Sequence, residues 1–371
     1  MMRLPHFTFH APRAVREAAD LLAAAPPGSA MLVAGGTDLL PNMKRRQQVP
    51  STLISLRQVA SLREISNATP STALRASPST GLRASGLTLG AGVTLTEVVR
   101  DVRARCTSSP HASRAYAGLW QAAAQVATPH LRNMGTIGGN LCLDTRCTYY
   151  DQTYQWRKAI DFCMKKDGDT CWVATSSPRC LAVSSTDTAP MLQALAASVT
   201  LQSSRGARIV PLPDLYANDG MHYLTRQPDE ILTRVTLPAI DGWRSAYWKL
   251  RRRGSFDFPV AAAAVAAKLD GPDVVDVRIV LGAVASRPVA SDQAAAILRG
   301  NRLTDELIAE ASTAAADVAK PMDNTDFELV WRKSMVRTLV ASALHEIRGD
   351  DVRARRRQIA RQELLLISRT A

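Results

Sequence analysis

The chain has 371 residues, 46% hydrophobic and 21% charged, with a formal net charge of +13, which leaves room for two or three globular domains. No apolar run reaches the length of a membrane span and the start, MMRLPHFTFHAPRAV, has no apolar signal region, so no membrane partner is expected and the cytoplasm is the expected compartment. The basic excess is diffuse, with small clusters at 44–46, 251–253 and 353–357 and no interleaved aromatics. That argues against nucleic acid and for a solvated surface or a face docking an acidic partner subunit.

In chain order, residues 15–25 have helical spacing and stop at Pro26-Pro27-Gly28. The run MLVAGG predicts a strand over 31–34 that feeds directly into Gly35-Gly36-Thr37-Asp38, and a second short strand follows at 52–56. This strand–turn–helix–strand order belongs to α/β architecture. Paired glycines can turn successive N–H groups toward one point, a nest for phosphate oxygens, and the Thr37 hydroxyl can add a donor. A plain tight turn would look the same. Residues 71–85 carry an internal echo, STALRAS and STGLRAS, expected to be a hairpin or surface insertion without chemistry.

A strand is predicted over 86–95, then a helix from Thr96 and another over 120–126. Next comes TPHLRNMGTIGGNLC, with a second glycine cluster at Gly135, Gly138 and Gly139 framing Thr136 and Ile137. Two glycine turns suit a ligand with an extended pyrophosphate held from both sides, but two unrelated turns would read the same, and neither matches GxGxxG or GxxxxGK[ST].

Five of the six cysteines lie between Gly138 and Asp187. From Asp144 to Cys180 no helical or strand period persists, so the segment reads as a long loop, uncommon unless functional. In a reducing compartment clustered thiols point to a metal or redox centre rather than to disulfides. Cys147, Cys163, Cys171 and Cys180 are separated by fifteen, seven and eight residues. That spacing resembles neither the compact ferredoxin run nor a zinc site built on close pairs, and both a cluster and a structural zinc stay open on spacing alone.

Asp187 is expected to cap a helix running through MLQALAA. A hairpin is predicted over 197–210 through Gly206, and strands over 230–237 and 245–251. From Pro259 the chain reads as a separate α+β domain: apolar AAAAVAAKL, alternating DVVDVRIVLGAV, and helices over 303–318 and 325–348. Residues 351–361 read as a basic, solvated tail.

Four segments, LVAGGTDLLPNMK, NMGTIGGNLC, STDTAPML and YWKLRRRGSFDFPVAAAAV, in this order and spacing resemble the flavin-binding subunits of the xanthine dehydrogenase (molybdenum hydroxylase) family. Most such subunits pass from the GGN turn to the following Asp helix in a few residues. The insertion of about forty residues here, and the run NLCLDTRCTYY, resemble one branch, the beta subunit of 4-hydroxybenzoyl-CoA reductase. The second turn, LRNMGTIGGN, follows the general family form more closely than that branch, which keeps an oxidative hydroxylase of another aromatic compound open.

The resemblance implies an α+β / α/β fold. Residues 1–240 would form a two-part FAD-binding domain (1–60 and 61–240, with the cysteine-rich loop insertion at 144–182), followed by a C-terminal α+β domain at 241–350 and a basic tail at 351–371. It implies FAD held by Val33, Ala34, Gly35, Gly36, Thr37, Asp38 and Leu39 on one side and by Val126, Thr136, Gly138, Gly139 and Asn140 on the other. Asp187, Leu232 and Lys249 would contact the flavin or its ribityl chain. It implies a [4Fe–4S] cluster on Cys147, Cys163, Cys171 and Cys180. The implied partners are a large molybdopterin subunit, a small [2Fe–2S] subunit and a ferredoxin-like electron donor. The substrate pocket would lie on another chain. A zinc-stapled FAD-binding protein is the reading from a different class.

Overall fold

The structure, a computed structural model, describes residues 3–68, 86–108, 114–240, 242–254 and 256–359; the echo at 71–85 lies outside the described residues. Thr8–His10 (β1), Val15–Ala24 (α1), Ala30–Val33 (β2), Leu39–Lys44 (α2) and Thr52–Ser55 (β3) build the first layer. Its sheet is parallel in the order β1-β3-β2. Small residues let the helix lie close to the sheet: Ala18 and Ala19 pack on Ile54 and on Ile231 of the next layer. The first glycine turn leaves the end of β2, where a strand delivers backbone to the layer boundary.

Ile65–Ala68 (β4) and Gly86–Gly90 (β5) start the second sheet. A helical excursion follows: Leu95–Ser108 (α3), Ala117–Ala124 (α4), Pro129–Arg132 (α5), Ile137–Leu141 (α6), Tyr154–Ala159 (α7) and Thr188–Ala194 (α8). Ser198–Ser203 (β6), Gly206–Pro211 (β7) and Ile231–Leu237 (β8) then complete an antiparallel sheet in the order β4-β5-β8-β6-β7. Strand β8 is central and buried except at Arg234. A register shift at Thr200/Leu201 bends its partner β6, beside Leu232 at the start of β8.

The third sheet is a meander of Trp243–Leu250 (β9), Ala261–Asp270 (β10), Asp273–Gly282 (β11) and Val289–Ala290 (β12), carrying Asp292–Leu298 (α9), Asp305–Val318 (α10) and Leu329–Arg348 (α11). The alanine run of β10 is buried on both faces. Ala262, Ala264 and Ala266 join the core of the second layer, while Ala261, Ala263, Val265 and Ala267 join the core under α10 and α11. A strand covered on both sides reads as one continuous apolar run. The separate unit expected from Pro259 onward therefore shares a face with what precedes it. Within the basic tail, residues 353–359 are helical and mostly exposed, while Arg356 lies 4.1 Å over the Trp248 ring and 2.7 Å from Glu346, and Ile359 is buried.

Candidate functional site: a two-turn cleft beside a thiol-rich loop

The two glycine turns meet. A Cβ on Gly35 would lie 2.0 Å from the Met134 carbonyl oxygen, and one on Gly138 would lie 2.6 Å from the Ala91 Cβ. Only a residue without a side chain permits either approach. Gly36 takes φ +70°, the left-handed region that favours glycine. Thr136 caps α6 by accepting from the Gly139 N–H at 3.0 Å, which fixes the second turn.

Between the turns and the start of β8 lies a cleft of about 570 Å³. Val33, Ala34, Gly35, Gly36, Thr37, Asp38, Leu39, Val126, Thr136, Gly138, Gly139, Asn140, Asp187 and Leu232 all line it. Lys249 does not. It stands behind the wall with its side chain fully buried, its Nζ donating to Asp187 Oδ2 at 2.9 Å and to the carbonyls of Gln125 (3.0 Å) and Asp257 (2.9 Å). Its ammonium therefore reaches the cleft through Asp187.

Asp187 holds the N-cap position of α8, but its side chain makes no capping bond. Its carboxylate instead accepts from Lys249 and from the Tyr247 hydroxyl at 2.8 Å. The capping falls to Asn140, whose Oδ1 accepts from the Thr188 N–H at 3.2 Å and from the hydroxyls of Thr186 and Thr188. Burial pushes the Asp187 carboxyl up and the Lys249 ammonium down, and the charge of each opposes the other's shift. Replacing Lys249 with Met would leave a buried carboxylate without its cation, and a stability loss of about 3–5 kcal/mol is expected in urea unfolding. The double replacement Asp187→Asn, Lys249→Met should recover part of it.

The sequence reading missed the cationic and aromatic rim. Arg45, Arg57, Arg63, Arg146, Arg226 and Arg253 line the cleft, together with Tyr223, Phe256 and Phe258. Arg45 and Arg253 belong to clusters expected to form a solvated surface or a face docking an acidic partner subunit; these two face the cleft. Arg146 comes from the insertion. It pairs with Asp38 of the first turn and, at 3.1 Å, with Asp151, and lies 4.6 Å from the Phe258 ring centroid.

The insertion has almost no regular structure besides α7, as its lack of periodicity predicts. Its contacts to the body include the bridge from Arg146 to Val183, the Gln47 Nε2 donation to the Tyr150 carbonyl at 2.6 Å, the Arg157 donation to the Arg46 carbonyl at 3.1 Å and the Thr148 N–H donation to the Asn324 carbonyl at 2.9 Å. Cysteine carbonyls close its turns. Cys147 accepts from the Tyr150 and Asp151 N–H groups, Cys163 from Lys166 and Gly168, and Cys171 from Ala174.

Cys147, Cys163, Cys171 and Cys180 are each 4–6% exposed. Three of them share one apolar cluster with Tyr150 and Ala182, and all three other cysteines lie near enough to oppose ionisation of Cys147. Burial pushes the Cys147 thiol up to about 12, with those neighbours adding to the rise. It pushes Cys180 up to about 11 against the pull of the Lys165 ammonium. Thiolate is the ligand form, so a metal group bound here would have to offset that cost of ionisation. The donor set, four thiols without imidazole or carboxylate, fits an iron–sulfur cluster in kind. Among the described residues no group of three or more His, Cys, Asp or Glu is placed to hold a metal ion. Cys142 lines the cleft instead, and Cys106 packs against the second-layer core.

Residues 5–240 match the FAD binding domain in molybdopterin dehydrogenase, and residues 245–347 match the CO dehydrogenase flavoprotein C-terminal domain. The aldehyde oxidoreductase FAD-binding subunit of Escherichia coli is 31% identical over 349 residues, covering 91% of this chain and 98% of that one. The carbon monoxide dehydrogenase medium chain of Hydrogenophaga pseudoflava is 27% identical over 344 residues, covering 92% and 96%. A solved structure of carbon monoxide dehydrogenase from Hydrogenophaga pseudoflava superposes with a TM-score of 0.70 at 26% identity, covering 93% of this chain and 98% of that one. These descriptions name FAD and molybdenum chemistry and no [4Fe–4S] cluster.

Proposed function

The chain belongs to the family of FAD-binding subunits of the molybdenum hydroxylases, the carbon monoxide dehydrogenase medium-chain type, and from that membership we propose that it is the electron-transfer subunit of a 4-hydroxybenzoyl-CoA reductase-like enzyme. In this reading residues 1–240 form the FAD-binding domain and 241–350 the C-terminal domain. The chain associates with a large molybdopterin subunit and a small [2Fe–2S] subunit in the cytoplasm, and a ferredoxin-like protein is the donor. Two electrons and two protons would replace the phenolic hydroxyl by hydrogen and release water, on the large subunit.

The observation that carries the finer reading is the 144–182 insertion with four buried thiols in one loop. Cys147, Cys163, Cys171 and Cys180 would hold a [4Fe–4S] cluster. A cubane spreads its thiolates over its corners, so it does not need them to converge on one point, as a zinc ion does.

FAD, when bound, exchanges one or two electrons and so mediates between one-electron centres and a two-electron reaction. The backbone N–H groups of Gly35 to Asp38 would receive its pyrophosphate. The rim arginines neutralise that charge, and Val126 and Leu232 supply apolar wall. Tyr247 and Lys249 donate to the Asp187 carboxylate in the wall beside them.

Iron, sulfide and zinc analysis with the visible spectrum of the anaerobically purified protein tests the cluster. Iron and sulfide in equal amounts are expected; zinc without iron would establish the zinc-stapled alternative. The second reading keeps the flavin subunit and reverses the flow, as in an oxidative hydroxylase. It is favoured by the relatives' names and by the form of the second glycine turn. Assays of the purified complex in both directions separate the two, with reductive dehydroxylation by reduced ferredoxin expected.

A further inference from the structure

Lys165 sits in the insertion with its side chain 6% exposed. Its Nζ donates to Asp144 Oδ1 at 2.8 Å, to Thr145 Oγ1 at 2.7 Å and to the Gly220 carbonyl at 2.7 Å. It also lies 5.0 Å from the Tyr150 ring centroid and 5.4 Å from that of Tyr223. These partners divide into two groups. Asp144 and Tyr223 line the cleft. Tyr150 belongs to the apolar cluster of Cys147, Cys163 and Cys180, and the Gly220 N–H donates to the Cys180 carbonyl at 2.8 Å. One buried ammonium thus touches the walls of both sites.

Burying an ammonium is costly unless its charge is used, and holding a loop in place needs only neutral donors. Asp144 pairs with Lys165 and is itself shared. Its Oδ2 accepts from Tyr150 at 3.1 Å and from Gln48 at 3.2 Å. Its side chain is 8% exposed, so water screens the pair little.

We propose that Lys165 is a positioning residue that couples the two redox sites electrostatically, its fixed positive charge favouring added negative charge both at the thiol cluster and in the cleft. The inference rests on the reading that the four thiols hold a cluster and the cleft holds FAD. In a low-dielectric setting a positive charge between two electron-accepting groups raises the potential of each. Its removal makes both harder to reduce.

The test is a spectroelectrochemical titration of the full chain, purified anaerobically with its cofactors, in the wild type, Lys165→Met, Lys165→Arg and Asp144→Asn. In Lys165→Met the reduction equilibria of cluster and flavin are each expected to fall about tenfold, which is about 59 mV for a one-electron couple and about 30 mV for the two-electron flavin couple. Lys165→Arg should restore both. Asp144→Asn, which leaves the ammonium without its counter-charge, should move both upward, and it decides the matter if Lys165→Met does not fold. Unchanged potentials in cofactor-replete variants, or a shift at one centre alone, would overturn the coupling. A wild-type chain without iron would instead sink the cluster reading.

Discussion

Replacing Cys147, Cys163, Cys171 or Cys180 singly with Ala is expected to reduce iron from about four per chain to less than one, with FAD content near that of the wild type. Each of these side chains is 4–6% exposed within one loop, and a cubane with three ligands is exposed to loss or conversion. The fold should survive, because the loop is anchored by Gln47, Arg146 and Arg157 rather than by its thiols. Trading a buried thiol for a methyl group costs about 1 kcal/mol. FAD should stay, since the glycine turns lie outside the loop. Cys142→Ala is the contrast. Its side chain lines the cleft, so iron and sulfide are expected to remain at wild-type levels. The checks are iron and sulfide assay with the visible spectrum, variant by variant. Cluster loss in Cys142→Ala with full retention in Cys147→Ala would reverse the ligand assignment.

What was legible in the sequence follows from where local physics decides the outcome. The two glycine turns were readable because strand, breaker and polar residue follow one another within a few positions, and the structure brings both to one cleft. The insertion was readable as irregular because no period survives its Lys, Asp, Gly and Pro residues. Its nearness to the cleft was not, since that depends on Arg146 and Lys165 pairing with Asp38 and Asp144.

Lys249 shows the limit most clearly. Strand β9 is buried at every position but Arg244, so alternation carries no sign of which face meets the cleft, and the side chain stands behind the wall. Asp187 looked like a cap because it precedes a helix, but a neighbouring ammonium and phenol compete for its carboxylate, and Asn140 takes the capping role from across the fold. Clusters such as those holding Arg45 and Arg253 point in sequence only to a solvated or partner-docking surface. Only the folding of three layers around one cleft gives Arg45 and Arg253 a common direction.

Gly35→Ala is expected to yield a folded chain nearly free of flavin. The added Cβ would lie 2.0 Å from the Met134 carbonyl oxygen, 2.5 Å from its carbon and 2.9 Å from the Gly135 nitrogen. All three are backbone atoms of the opposite turn, so no side chain can swing aside. The two turns must separate, and that separation widens the place where a pyrophosphate would be held from both sides. Backbone strain is a distinct effect and can be isolated. Gly28 has φ +74° with nothing within 4 Å of an added Cβ, so Gly28→Ala should cost about 1 kcal/mol of stability with flavin content unchanged. Gly36→Val acts mainly through strain: φ +70° for a β-branched residue, with a Cβ 3.1 Å from a Leu40 methyl that can move. It should lose flavin as well, with a smaller fall in Tm than Gly35→Ala. The ratio of flavin absorbance to protein after purification, together with thermal unfolding of each variant, distinguishes these outcomes. Full flavin in Gly35→Ala at wild-type Tm would show that contact between the turns does not shape the FAD site.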